Sequence, residues 1–238
     1  MLIYCISSER PENVSVMKGH FEPDEVMWVV PEGQGQSYHE AGARLVQEIS
    51  GPAFNELPKA RNWALEHAFG RGEPCLQVDD DLQKFMDAEG KVSDWETAKE
   101  RLIAGLEQVP EAKIVGFPTT TNAYWLGDTV KTWVNVNQFY WILPSEPRFD
   151  ESLGAGCHED IEFVAQHLRK YGAVARINDA MILCDHDTNE GGCQSIRTVE
   201  MRRELAYKVV ERHPDILRIH SKWDDRVAIR HRRKKKAK

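Results

Sequence analysis

The 238-residue chain has no apolar run approaching the roughly 18 residues that a membrane span requires. Its opening, MLIYCISSERPEN, has no basic segment ahead of a long apolar stretch, as a secretory leader would. A cytoplasmic protein with no membrane partner is expected. Cys5, Cys75, Cys157, Cys184 and Cys193 are odd in number, scattered and never spaced as CxxC. That argues against a disulfide framework and for reduced thiols. A zinc set from Cys157, His158, Cys184 and His186 is weak, because the neighbours Cys157 and His158 point apart in extended chain. Gly33 and Gly35 are too few for a dinucleotide fingerprint. Neither an internal repeat nor a long linker is present.

What is present is a chain that is 41% hydrophobic, with a formal charge of −7. The final block RHRRKKKAK, residues 230–238, contributes +7 and leaves −14 on the rest. A basic block on an acidic body reads either as a disordered arm that meets a polyanion such as DNA or as a solubilising tail. The organisation expected is one domain over residues 1–229 and a basic tail over 230–238. Short apolar strands alternate with amphipathic helices, which predicts an α/β fold with a mostly parallel central sheet.

Three helices are predicted. Ser93 and Glu96 form a capping box ahead of Leu102, Ile103, Leu106 and Val109, and Pro110 ends that helix. The helix after His158 spaces Ile161, Val164, Leu168 and Tyr171 along one face and stops at Gly172. The third runs from about Thr198 to His213. KIVGF, VKTWVNV and QFYWIL predict strands within residues 113–143, and NEGGCQS, residues 189–195, reads as a loop.

The densest signal is CLQVDDDLQKF, residues 75–85, where an apolar strand runs into three carboxylates with no basic residue between them. In extended chain Asp79 and Asp81 share one side and Asp80 takes the other. Such hard oxygens suit Mg²⁺ or Mn²⁺ carrying a phosphate group. Alternatively, the run is an acidic turn in which Asp81 caps a helix starting at Leu82. Downstream come RFDESLGAGCHEDIEFVAQHLRKYG and then MILCDHD. Glu159 and Asp160 open a helix, where carboxylates ordinarily complement the dipole and are expected to be acidified by it.

This ordered set resembles the GT-A glycosyltransferases, and within them the inverting family 2: an opening strand LIYCISSERP, a second strand VMWVVPEGQ, an ARN helix LPKARNWALEHA, the DxD turn, the xED helix and a late His. A narrower resemblance is to the bacteriophage TET/JBP-associated glycosyltransferases, small enzymes that glycosylate hydroxymethylated pyrimidines in DNA. The resemblance implies a GT-A fold with a Rossmann-like sheet flanked by helices, a UDP-sugar such as UDP-glucose as donor, and Mn²⁺ or Mg²⁺ as cofactor. It also implies DNA bearing 5-hydroxymethylcytosine as acceptor, and the host cytoplasm as location if the chain is phage-encoded.

The same resemblance carries roles to particular residues. Asp81 and the late His186 become metal ligands, with Asp185 and Asp187 flanking the latter. Asp79 meets the metal or the donor ribose, and Asp80 serves either purpose. Asp160, with Glu159 second, becomes the base that takes the acceptor hydroxyl's proton. Ser7, Arg10, Arg61 and Arg197 fall to the nucleotide-sugar, as do Gly154 and Gly156 by close backbone approach. Asn62, Glu32 and Tyr38 join that pocket, and Gly191 and Gly192 read as a lid or a plain connector. Arg61 also has the simpler reading of a surface charge. Trp125, Trp133, Tyr140 and Trp141 read either as acceptor-stacking aromatics or as core. The rival functions are a glycosyltransferase with a polysaccharide, lipid or protein acceptor, a metal-dependent nucleotidyltransferase, and a nucleic-acid-binding module.

Overall fold

The computed structural model describes residues 1–51, 56–119, 130–154, 157–184 and 196–232. The first half comprises β1 (Ile3–Ile6), α1 (Val14–Met17), β2 (Val26–Pro31), α2 (Gly35–Glu40), β3 (Leu45–Ile49), α3 (Glu56–Gly70), β4 (Cys75–Asp79), β5 (Leu82–Asp87) and β6 (Val92–Ser93). Then follow α4 (Trp95–Gln108), β7 (Ile114–Gly116), β8 (Val130–Lys131), β9 (Phe139–Ile142), α5 (Glu159–Tyr171), β10 (Ala175–Ile177), β11 (Ala180–Cys184), α6 (Val199–Arg212), β12 (Leu217–Ile219) and β13 (Val227–Ile229).

Eight strands form the central sheet in the order β3-β2-β1-β4-β9-β7-β10-β8. Only β9 and β8 run against the common direction, so the sheet is mostly parallel, as the alternation of elements predicts. Strands this apolar are stable only with both faces covered, and the period-2 alternation of side chains divides them between two cores. On one face Ile3, Cys5, Trp28, Leu76, Val78 and Trp141 pack with Leu102 of α4. On the other, Tyr4, Ile6, Cys75, Tyr140 and Ile142 meet Leu65 of α3, Val164 of α5 and Val209 of α6. Tyr140 and Trp141 are therefore core residues, and Trp125 lies outside the described residues. Gly116 of β7 is constrained by this packing, since a Cβ there would stand 2.4 Å from the Phe139 carbonyl oxygen.

Several predicted elements are corrected. No helix begins at Leu82: residues 82–87 form β5, antiparallel to β11 in a second sheet, because Leu82 and Phe85 are drawn into the core beneath. The cap of α4 is Asp94, whose carboxylate accepts from the Thr97 N–H at 2.8 Å, while Ser93 pairs with Phe85 in β6. Within VKTWVNV only Val130 and Lys131 are strand. The helices α5 and α6 keep their predicted ends, Gly172 closing α5 in the left-handed conformation that suits glycine (φ +79°). Yet α5 is buried on more than one face, taking in Glu162 and His167. The cause lies beyond it, where His213 at the end of α6 meets Glu162 at 2.8 Å. No helix among the described residues is long and apolar enough to cross a membrane.

Candidate active site

Strand β4 lies between β1 and β9 and ends at Asp79, whose N–H donates to the Gln138 carbonyl at 3.0 Å. The three carboxylates thus stand at the carboxyl edge of the parallel strands, where ligands of open α/β sheets bind. Their side chains diverge as alternation requires. Asp79 accepts from Arg61 Nη2 at 2.8 Å. Asp80 accepts from Ser7 Oγ and pairs with Arg10 Nη1 at 3.3 Å. Ser7 Oγ also meets the Tyr38 hydroxyl at 2.5 Å, and that hydroxyl accepts from the Arg10 N–H at 3.2 Å. Four side chains from the loop after β1, α2 and the β4 turn are joined in this way. Glu32 is exposed at the end of β2.

Arg61 is no surface charge. It is 3% exposed on α3, with Nη1 3.5 Å from Gln77 Oε1 and its guanidinium 5.4 Å and 5.5 Å from the rings of Tyr140 and Phe149. Gln77 returns a bond to the Arg61 carbonyl at 2.8 Å. The neighbouring Asn62 clamps Phe149, donating to its carbonyl and accepting from its N–H, each at 2.8 Å. Asn62 therefore fixes the segment leading to Gly154 and α5. Gly154 is buried; Gly156, Asp185, His186, Asp187, Gly191 and Gly192 lie outside the described residues.

Electrostatics follow from this burial. Desolvation, opposed by Ser7 and Arg10, pushes the Asp80 carboxyl up to about 6. Desolvation, then Asp79 and Asp80, pushes Asp81 up to about 7. Glu159 is also raised, to about 7, by burial and by Asp160, with Arg61 acting against. The expected acidification by the α5 dipole is overturned there, because loss of water outweighs a partial charge at the helix end. Glu159 is 5% exposed, and its Oε2 has no hydrogen-bond partner among the described residues. Asp160 is half-buried and accepts from Asn135 Nδ2 at 3.4 Å. Arg197 is half-buried, and its charge acts on Cys157, two residues before Glu159.

Backbone strain gathers at the same place. The non-glycine residues with positive φ among those described are Glu9 (59°), Gln138 (66°) and His158 (68°). Glu9 lies between Ser7 and Arg10, Gln138 holds Asp79, and His158 precedes Glu159. Each costs on the order of 1 kcal/mol or more and persists only where the surroundings enforce it, commonly at sites of function.

The donor set suits a hard divalent cation in kind, with the buried oxygens of Asp81 next to Asp79. Among the described residues, however, no three of His, Cys, Asp or Glu converge as metal ligands, so a further donor is required. The zinc alternative is not assembled among the described residues, and His186 lies outside them. Sequence reasoning did not single out Gln77, Asn135 or the charge environment of Tyr140. Gln77, a lone polar residue inside CLQV, was the available signal.

No protein-family model and no curated protein matches the chain. Among solved structures, the mannose-1-phosphate geranyltransferase from Thermus thermophilus is similar over 77% of this chain and 57% of that one, at 13% identity and a TM-score of 0.34. The chain thus spans little more than half of that protein, and so loose a likeness does not extend to function.

The raised carboxyls make stability depend on pH. Below the ordinary carboxylate range both folded and unfolded chains hold these protons; as pH rises to about 7 the unfolded chain sheds them first, so stability is lost across that window. Glu159→Gln removes one such group. Its free energy of unfolding in urea is expected to rise relative to the parent at pH 8, by roughly 1–3 kcal/mol, and to match it near pH 4. A gain of equal size at both values would show that Glu159 ionisation is not the cause.

Proposed function

We propose that the protein is a metal-dependent glycosyltransferase that moves a sugar from a UDP-sugar, UDP-glucose first among those to test, to the hydroxyl of 5-hydroxymethylcytosine in DNA. One arrangement carries the reading: a strand delivering Asp79, Asp80 and Asp81 to the sheet edge, with Asp79 in electrostatic contact with Glu159 at the start of α5. In this reading Asp160 accepts the acceptor hydroxyl's proton as its oxygen attacks the anomeric carbon. The bond from that carbon to the diphosphate oxygen breaks, UDP departs, and the configuration inverts. Arg61 orients Asp79 through their ion pair, and Arg10 with Ser7 orients Asp80. A bound Mn²⁺ or Mg²⁺ would supply positive charge to the leaving diphosphate, held by Asp81, Asp79 and His186.

Incubating the protein with UDP-sugars, Mn²⁺ and hydroxymethylated DNA, followed by mass spectrometry of the released nucleosides, tests the whole reading. A hexosylated nucleoside is expected, and none with any donor refutes the DNA acceptor. On the metal site alone, Asp81→Ala and His186→Ala are each expected to weaken Mn²⁺-dependent UDP binding by about tenfold or more while preserving the fold. Calorimetry finding unchanged affinity in both removes the assignment.

A further inference from the structure

The chain beyond α6 folds back as a hairpin, β12 antiparallel to β13. Residues 217–238 hold ten Lys and Arg against two Asp, a formal +8, so the other 216 residues carry −15. Both of those Asp are neutralised from α6: Arg203 Nε meets Asp224 at 2.8 Å and Arg202 Nη2 meets Asp225 at 2.5 Å. The exposed cations Lys222 and Arg226 instead lie 4.8 Å and 4.7 Å from the ring of Trp223. That indole stacks on His220 at 4.7 Å and 27°, yet remains 42% exposed. The basic ridge continues into Arg230 and Arg232. The Arg230 carbonyl accepts from Trp133 Nε1 at 2.8 Å, and Arg232 lies 5.0 Å from the Trp133 ring. Residues 233–238 lie outside the described residues.

The hairpin also adjoins the candidate base from two directions. Arg202, which holds Asp225, accepts at its carbonyl from His158, the residue before Glu159 and Asp160. Trp133, which holds Arg230, lies two residues before Asn135, the donor to Asp160.

We infer that the hairpin is a DNA-binding surface, on which Lys222 and Arg226 contact backbone phosphates and Trp223 lies against an unstacked base. Its link to catalysis rests on the transferase reading; the binding itself does not. Alternating cations and rings are what a nucleic-acid strand takes up. A lipid surface would want a broad apolar face, and Trp223 is the one exposed large hydrophobic side chain among the described residues of the hairpin.

Fluorescence anisotropy of the full chain with a labelled single strand and its duplex, across a salt series, tests this. Lys222→Ala with Arg226→Ala is expected to reduce the salt slope by about 1.4 on the single strand and about 1.8 on the duplex, as two lost phosphate contacts require. Trp223→Ala is expected to weaken single-strand binding about tenfold and duplex binding less, since stacking needs an unpaired base. Removing residues 233–238 should lower affinity for both forms while preserving the Trp223 effect. Unchanged slope and affinity in the charge pair, no DNA binding by the full chain, or tighter binding to phosphatidylserine vesicles than to DNA would each overturn the inference. The charge pair changes exposed side chains, so it stays informative if Trp223→Ala does not fold. Calorimetry of the full chain with UDP and Mn²⁺ separates the two readings. UDP binding without DNA binding ends the hairpin inference and the DNA acceptor but leaves the UDP-sugar chemistry standing; DNA binding through the hairpin without UDP binding ends the transferase reading alone.

Discussion

Replacing Arg61 with Met will lower the free energy of unfolding by about 3–5 kcal/mol, the cost typical of breaking a buried ion pair from one side. Met keeps most of the aliphatic stem's volume, so the loss isolates the charge. Burial alone would weaken the guanidinium's hold on its proton, but Asp79, Tyr140 and Glu159 more than offset it and the group stays charged. Without it, the Asp79 carboxylate at 2.8 Å loses its partner, and Glu159 loses the positive charge that holds its proton affinity down. Adding Asp79→Asn to Arg61→Met should restore a good part of the loss, because an amide needs no counter-charge. Urea unfolding of the parent, both single variants and the double variant measures the coupling. A fully additive cycle would mean that the pair contributes nothing beyond its separate side chains.

Asp160→Asn is expected to cut turnover by roughly 10² to 10⁴, the usual range for a positioned general base, with UDP affinity little changed. Asp160 is the more accessible of the two acids that open α5, and Asn135 orients it. Glu159 is buried within the electrostatic reach of Arg61 and Asp79, so Glu159→Gln should act mainly on stability and its pH dependence. Steady-state kinetics on both variants with the same donor and acceptor distinguishes them. A near-normal rate for Asp160→Asn together with a collapsed rate for Glu159→Gln would exchange their roles.

Much of this architecture is written locally in the chain. Apolar strands alternating with amphipathic helices call for a mostly parallel sheet, because such strands need cover on both faces. Gly172 and Thr198 mark helix ends through backbone and capping preferences that neighbouring residues alone decide. The run of three aspartates after CLQV announces a charged strand end, and period-2 alternation sends Asp79 and Asp80 to opposite sides. Which groups would meet those carboxylates is not a local property. Arg61 reaches Asp79 because α3 crosses the sheet face beneath β4, and Ser7 reaches Asp80 across 73 positions because β1 is paired with β4. The same distinction separates β5 from a helix: the residues after Asp81 tolerate either form, and pairing with β11, nearly a hundred positions on, selects the strand. Burial of Glu159 is decided in the same way. A carboxylate in a first helical turn looks solvated in the sequence, and only the elements packed over it remove the water that would have kept it acidic.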